Sequence, residues 1–182
     1  MSSTSDPIPG YVSLDEVGLG APYILEAGTG EHSAANNSLR TLLTRAADTN
    51  GDLAALICSG DVSVPTVPHI HRKTTETVFV LDGVVRVLLD DQKGTKIVKD
   101  LAEGQFGLLP VDWIHAWAFA SPKARFLGMM APGGFENVVH YLEPGAPPTP
   151  ERLRESEKHI DVLWLPDYPV FGDFSDLPVP TS

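Results

Sequence analysis

The chain has 182 residues, of which 42% are apolar and 20% charged, and its formal net charge is −11. This composition indicates one ordinary globular domain with short extensions, and it excludes a mainly disordered chain, a coiled coil and a collagen. The acidic surplus argues against a nucleic-acid partner, and no window approaches the roughly 18–20 uninterrupted apolar residues of a membrane span. The single cysteine, Cys58, excludes an intrachain disulfide and a cysteine-based zinc site.

The N-terminal sequence MSSTSDPIPG contains neither a basic segment nor an apolar segment of the kind that directs secretion. We therefore expect a cytoplasmic protein, in which residues 1–10 form a flexible arm. Residues 11–145 are predicted to form the main folded domain, and residues 146–182 a proline-rich linker, a helix and an aromatic tail.

Short runs with β-type composition alternate with turn sequences through the middle of the chain. Asn50-Gly51 predicts a turn that joins strands at Leu39–Arg45 and Leu53–Cys58 as a hairpin. Asp82-Gly83 predicts a second tight hairpin between the apolar runs on either side of it. Further strands are expected at Thr95–Val98, Phe106–Leu109, His115–Phe119 and Arg125–Met130. At least seven short strands with frequent turns predict an all-β sandwich or jelly-roll barrel.

The composition changes after Gly145, where prolines become frequent. Thr149-Pro150 predicts the start of a helix, with Thr149 as N-cap and Pro150 in the first helical position. This helix is predicted to extend to about His159–Leu163. The aromatic tail that follows is expected to pack on the barrel or on a second subunit, since such a surface is rarely left in water.

Three histidines and one glutamate form the pattern that carries chemistry. His69 and His71 are two residues apart, so that in a strand both imidazoles point to the same side. Glu76 follows five residues later, and His115 stands five residues after Pro110 in a second block. Three imidazoles and one carboxylate form a suitable ligand set for a divalent transition metal, and they leave two positions of a six-coordinate ion open. A His-x-His pair alone is weak evidence, but the whole pattern is much rarer by chance.

Two sequence blocks resemble the two motifs of the cupin family. They are Gly60…His69-Ile70-His71…Glu76…Gly83 and Gly104…Pro110…His115. The resemblance covers about residues 55–131, with Asp112 where a glycine is usual and Phe119 where an asparagine is usual. It implies a cupin jelly-roll β-barrel with an N-terminal extension and a C-terminal helix plus tail. It also implies that His69, His71, Glu76 and His115 are the metal ligands.

Among cupins, the chain is most similar to the bacterial single-cupin quercetinases, the flavonol 2,4-dioxygenases. Three phrases carry this resemblance, namely Thr-Glu-Thr-Val-Phe-Val-Leu-Asp-Gly, Arg-Phe-Leu-Gly-Met-Met and Pro-Gly-Gly-Phe-Glu-Asn. The resemblance implies insertion of dioxygen into the central ring of a flavonol such as quercetin, giving a depside and carbon monoxide. It further implies a homodimer and one divalent metal, with nickel favoured and cobalt, manganese, iron or copper as alternatives.

Within this interpretation, Glu76 is the candidate base that takes the proton of the flavonol 3-hydroxyl. The direction of its pKa shift is open, since a metal lowers the pKa and burial raises it. A flavonol is flat and apolar, so its pocket should be apolar as well. The candidates for contact with the substrate are Val78, Trp113, Trp117 and Phe119, which strand alternation places on the same side as Glu76 or His115.

Two other functions fit a cupin site. A cupin isomerase or epimerase would act on a sugar or small acid, and it would need further Lys or Arg side chains near the metal. Arg72 and Lys73 are the candidates in the sequence. A non-catalytic metal and small-molecule binder is the other alternative.

Overall fold

The computed structural model describes residues 12–15, 20–35, 38–141, 148–170 and 172, so the predicted arm at residues 1–10 lies outside the described residues. The described residues form eleven β-strands in two antiparallel sheets. The strands are β1 (Glu31–Ala35), β2 (Ser38–Thr44), β3 (Ala54–Gly60), β4 (His69–Ile70), β5 (Thr75–Asp82), β6 (Val84–Asp90), β7 (Lys96–Ala102), β8 (Phe106–Leu109), β9 (Ile114–Phe119), β10 (Ala124–Ala131) and β11 (Leu163–Trp164).

The two sheets face each other as a jelly roll. One sheet has the order β1-β2-β3-β10-β5-β8 and the other the order β11-β4-β9-β6-β7. Buried apolar side chains of both sheets fill the space between them, among them Val80, Phe126, Val87 and Phe119, all at most 3% exposed. The prediction of an all-β jelly roll is therefore confirmed. No helix in the described ranges has the length and apolar character needed to cross a membrane.

The predicted N-terminal hairpin is confirmed, since β2 and β3 pair antiparallel with Arg40 opposite Cys58. Between them the chain forms a short 3₁₀-helix, Ala46–Thr49, which ends at Asn50 in the left-handed conformation with φ 56°. Asparagine tolerates this conformation better than most residues, which explains why Asn50-Gly51 marks the turn.

The predicted hairpin at Asp82-Gly83 is wrong, because β5 and β6 belong to opposite sheets. β5 pairs with β10 and β8, whereas β6 pairs with β7 and β9. Gly83 has φ 70°, and a Cβ there would lie 2.5 Å from Ser121 Oγ and 3.0 Å from Ala124 Cα. Gly83 therefore allows the chain to pass closely from one sheet to the other. The dipeptide Asp82-Gly83 is the same as in a two-residue hairpin loop, so the local sequence does not distinguish the two structures.

The helix α1 spans Pro150–Ser156 and begins as predicted, with the Thr149 side chain accepting a hydrogen bond from the backbone N–H of Arg152. It ends earlier than predicted because the residues at its end bind Trp164. The Trp164 indole donates to Ser156 Oγ at 2.8 Å, and its backbone N–H donates to Glu157 at 2.9 Å. A second 3₁₀-helix, Phe135–His140, precedes α1.

The C-terminal segment returns to the five-stranded sheet. Its strand β11 pairs with β4, with Trp164 opposite His69. Farther on, the Tyr168 hydroxyl donates a hydrogen bond to the buried carboxylate of Asp90 on β6. The segment thereby covers one edge of the barrel and brings Trp164 to the end of the barrel that holds the histidines.

We predict that Gly83→Ala lowers the free energy of unfolding by more than Gly104→Ala does. Both glycines have similar positive φ values, 70° and 77°, but only Gly83 is tightly enclosed. The left-handed conformation costs alanine about 1 kcal/mol at either site, and the overpacking at Gly83 adds about 1–3 kcal/mol. Urea denaturation of both variants measures the difference, and equal losses of stability would contradict the close crossing.

Candidate metal centre

The structure brings the four predicted ligands together at one end of the barrel. His69 lies on β4 and pairs directly with His115 on β9, so these two imidazoles are neighbours in one sheet. His71 follows β4 immediately, and Glu76 approaches from β5 in the opposite sheet. The site is therefore closed by the packing of the two sheets and does not form within either sheet alone.

The four side chains are buried and close to one another. His71 and His115 are fully buried, His69 is 2% exposed and Glu76 is 8% exposed. One ligand atom from each residue lies within 4.8 Å of all the others. Glu76 faces two of the imidazoles, with Oε1 3.5 Å from His71 Nε2 and Oε2 3.6 Å from His115 Nε2.

A backbone carbonyl fixes the orientation of each imidazole. Nδ1 of His69 donates to the carbonyl of Val67 at 2.8 Å, and Nδ1 of His115 donates to that of Trp113 at 3.0 Å. Nδ1 of His71 donates to the carbonyl of Asp161. Because Nδ1 carries a proton in each ring, Nε2 is the ring atom that is left to face the centre of the cluster and to bind a metal there.

The Nε2 atoms of the three histidines are buried and lack a hydrogen-bond partner. Buried polar atoms in proteins are normally satisfied, so three converging orphans beside a carboxylate indicate a missing electrophile. Imidazole nitrogen and carboxylate oxygen are the donors that divalent transition metals prefer. The residues present therefore fit a metal ion.

The electrostatics of the cluster agree with this role. Burial and the neighbouring imidazoles hold the pKa of His69 well below its usual value, so this ring is neutral. Burial alone would raise the pKa of Glu76, but the nearby imidazoles of His115 and His71 outweigh it and hold the pKa well below the usual range. Glu76 is thus an ionised carboxylate. Burial lowers the pKa of His71, but the contacts with Glu76 outweigh this effect and raise it overall.

Asp161 supports the cluster, although no local pattern in the sequence indicates this role. Its carboxylate accepts the backbone N–H groups of Arg72, Lys73 and Thr74 at 3.1, 2.7 and 2.8 Å. These three residues form the turn between the ligands His71 and Glu76. One residue therefore holds both the imidazole of His71, through its carbonyl, and the turn, through its carboxylate.

Two aromatic side chains enclose the histidines. The ring centroid of Phe135 lies 4.3 Å from that of His71 and 5.5 Å from that of His69. Trp164 lies 4.8 Å from His69 on another side. Phe135 belongs to the sequence Pro-Gly-Gly-Phe-Glu-Asn. The positions of these residues in the sequence do not show that this segment packs against His69 and His71.

A cavity of about 80 Å³ extends from the cluster between the sheets and opens to solvent. Its walls are mainly apolar and aromatic. They include His69 and Glu76 from the cluster together with Leu56, Cys58, Trp117, Phe126, Met130, Phe135, Val138 and Trp164.

Of the four residues predicted to contact a substrate, Trp117 is part of the cavity wall. Val78, Trp113 and Phe119 are not among the lining residues. Val78 and Phe119 are buried in the core, and the Phe119 ring packs against Trp117 at a centroid distance of 5.3 Å. Strand alternation correctly predicted that Val78 and Phe119 point into the barrel. Most side chains that point inward pack in the apolar core, however, and do not line the cavity.

Arg40 and Glu136 also line the cavity and were not predicted. Arg40 and Leu42 are two residues apart on β2, so both side chains point into the barrel. An arginine at an inward-facing strand position is visible in the sequence, so this residue could have been noticed there. Both oxygens of Glu136 are used, since Oε1 accepts the N–H of Ala46 at 2.8 Å and Oε2 that of Gly134 at 2.5 Å.

Asp112 explains one departure from the usual cupin motif. It has φ 64°, a conformation that favours glycine and that aspartate also tolerates. Its carboxylate accepts a hydrogen bond from the exposed Arg72 side chain at 2.7 Å. The backbone of the motif is therefore kept, although the glycine is absent.

Comparison with solved structures agrees with the fold. An RmlC-like cupin from Shewanella frigidimarina matches 62% of this chain and 93% of its own, with 18% identity and a TM-score of 0.51. Oxalate decarboxylase from Bacillus subtilis matches 58% of this chain and 28% of its own, with 19% identity and a TM-score of 0.52. The chain thus has a cupin-like fold, and its buried cluster of three histidines and one glutamate could hold a metal ion.

Comparison with curated proteins gives a narrower likeness, although no family model matches the chain. The chain resembles quercetin 2,3-dioxygenase from Bacillus subtilis, with 28% identity over 121 residues, or 66% of this chain. It also resembles quercetin 2,3-dioxygenase from Aspergillus japonicus, with 29% identity over 83 residues, or 46% of this chain. The matches span only 34% and 24% of the lengths of these relatives. The protein thus has a cupin-like fold and a sequence that resembles the two quercetin dioxygenases over part of its length.

We predict that Asp161→Ala weakens metal binding about tenfold or more, because the turn between His71 and Glu76 loses its anchor. Titration against a metal chelator measures this affinity. Asp167→Ala is the matched control, since Asp167 is exposed on the same segment and should leave the affinity unchanged.

The same variant should show a pH-dependent loss of stability. Burial raises the pKa of Asp161, but its bonds to three backbone N–H groups outweigh this and lower the pKa overall. Its stabilisation is therefore present above the ordinary aspartate pKa of about 3.9 and is lost as the pH falls below it. The difference in unfolding free energy between wild type and Asp161→Ala should be about 2 kcal/mol at neutral pH and should shrink in acid. A difference that does not change with pH would contradict this assignment.

Proposed function

We propose that this protein is a metal-dependent flavonol 2,4-dioxygenase. In this reaction dioxygen enters the central ring of a flavonol such as quercetin, and a depside and carbon monoxide leave. The observation that carries the proposal is the buried cluster of three histidines and one glutamate at one end of an aromatic-walled cavity. The likeness to two quercetin dioxygenases supports it.

The cluster offers one site for a divalent transition metal, held by His69, His71, Glu76 and His115. When bound, such an ion supplies a Lewis-acid anchor for the 3-oxygen of the flavonol. Nickel is the ion we favour, with cobalt, manganese, iron and copper as alternatives. A homodimer in the cytoplasm remains the prediction from the sequence.

Glu76 is the residue that takes the proton of the 3-hydroxyl. It is the only carboxylate of the cluster, and an ionised carboxylate is a group that can accept a proton. Removal of this proton produces the electron-rich flavonolate that dioxygen attacks.

The cavity wall suits a flat aromatic substrate. Trp117, Phe126 and Phe135 present ring surfaces, and Met130 adds a flexible apolar side chain. These residues would orient the flavonol by stacking, with its 3-oxygen directed to the histidine end. Of the residues predicted from the sequence, we therefore propose that Trp117 contacts the substrate. Val78, Trp113 and Phe119 do not line the cavity.

An isomerase or epimerase would require basic side chains beside the ligands. The two candidates face away from the cavity, since Arg72 pairs with Asp112 at the surface and Lys73 is exposed. Neither of them lines the cavity. Neither of these two residues therefore supplies the basic group that an enzyme for sugars or small acids would need beside the ligands.

We predict that the nickel-loaded protein consumes quercetin in air and releases carbon monoxide. Glu76→Gln should lower kcat about 10²–10⁴-fold, because an amide cannot accept the proton. Loss of the flavonol absorption band measures the rate, and gas analysis measures the carbon monoxide.

Metal content must be measured in the same samples, since Glu76 is also a proposed ligand. Glu103→Gln is the matched control, because Glu103 is exposed in the turn that follows β7 and does not line the cavity, so the change should leave kcat unchanged. Absence of quercetin turnover by wild type with any of the five metals would overturn the proposed function. Full activity of a metal-loaded Glu76→Gln protein would overturn the role of Glu76 alone.

A further inference from the structure

Arg40 is a buried cation that the proposed chemistry does not use. Only 6% of the residue is exposed, and it lines the cavity. Its Nη1 atom is buried without a hydrogen-bond partner, and no ion pair among the described residues involves Arg40. A guanidinium stays charged in proteins, and an unpaired buried charge is costly. The cavity therefore lacks an anion at this point.

The acidic groups that line the described cavity are not available to pair with Arg40. Glu76 is engaged with His71 and His115, and Glu136 accepts two backbone N–H groups. Cys58 is opposite Arg40 on β3, and burial raises the pKa of its thiol to about 12, so the thiol is neutral. The missing anion must come from a bound molecule.

The strand register places Arg40 at the far end of the cavity from Glu76. Arg40 lies in one row with Cys58, Phe126 and Val80, across β2, β3, β10 and β5. Glu76 is four residues from Val80 on β5, which corresponds to roughly 13 Å along the strands, and β2 lies three strands from β5, or roughly 14 Å across them. These backbone separations favour an elongated molecule, such as linked aromatic rings, over a one- or two-carbon acid as the group that reaches both side chains.

We propose that Arg40 determines substrate specificity by binding an acidic substituent, best a carboxylate, on the end of the substrate remote from the metal ligands. The planar guanidinium matches a carboxylate with two parallel hydrogen bonds. That the substrate has an aromatic core is an inference that rests on the proposed function. That it carries a negative charge at its far end is inferred from Arg40 alone. The protein would then prefer an acidic flavonol to a neutral one.

The test compares 3-hydroxyflavone with its 4′-carboxylate and its 4′-carboxamide as substrates of the metal-loaded enzyme. For the wild type, kcat/KM should be about tenfold or more higher for the carboxylate than for the neutral amide, as expected for a charge-assisted pair. Arg40→Met should abolish this preference while the amide keeps its rate. Arg125→Met is the matched control, because Arg125 is an exposed arginine on β10. Its preference should equal that of the wild type.

Binding without turnover separates this inference from the proposed function. Flavone-4′-carboxylate lacks the 3-hydroxyl, so calorimetry reports its affinity independently of oxygen chemistry. If no flavonol is turned over but wild type binds this carboxylate about tenfold more tightly than the matching amide, Arg40 is supported and the dioxygenase is not. If flavonols are cleaved but wild type binds the acid and the amide equally, the role of Arg40 is overturned. That second comparison needs no variant, so it stands even where Arg40→Met does not fold.

Discussion

Three imidazoles that share a water-poor space with one carboxylate set the main constraint on this structure. Each ring can present Nε2 to the centre only if its Nδ1 proton has a fixed acceptor, and a different segment supplies each acceptor. Val67 precedes β4, Trp113 precedes β9, and Asp161 lies in the C-terminal segment. The metal centre therefore requires the two sheets and the C-terminal segment to be in place together.

The same constraint explains the position of the C-terminal segment. β11 adds to the edge of the five-stranded sheet beside β4, and this pairing fixes both Asp161 and Trp164 at the histidines. Trp164 in turn ends α1 by binding Ser156 and Glu157. The helix end and tail that the sequence predicted to pack on the barrel or a second subunit are thus part of the site on this chain's own barrel.

The four ligands could be predicted from sequence because their signal is local. The spacing of His69, His71 and Glu76 fits a strand followed by a short turn, and the structure contains both. The strands themselves could also be predicted, since alternation and turn residues are local. The partners of the strands on either side of Asp82-Gly83 could not be predicted, because the same dipeptide occurs in hairpin loops and in connections between two sheets. Only the contact of Gly83 with Ser121 and Ala124 separates the two cases.

The rest of the site depends on contacts between distant segments. Asp161 lies 90 positions along the chain from His71, the residue whose imidazole it orients. Phe135 meets the imidazoles through a 3₁₀-helix whose direction no local pattern gives. Arg40 is the exception, since a charge in the inward phase of β2 is visible in the sequence, although the cavity that gives it meaning is not.

The central claim is that the buried cluster, once loaded with metal, directs dioxygen into a flavonol held in the adjoining cavity. The most direct measurement is a single turnover with quercetin bound anaerobically and then exposed to ¹⁸O-labelled dioxygen, followed by mass spectrometry of the products. The prediction is a depside that contains both labelled atoms, with unlabelled carbon monoxide released, since the carbon lost carries the original 3-oxygen of the flavonol. Intact quercetin, or a product without the label, would contradict the claim.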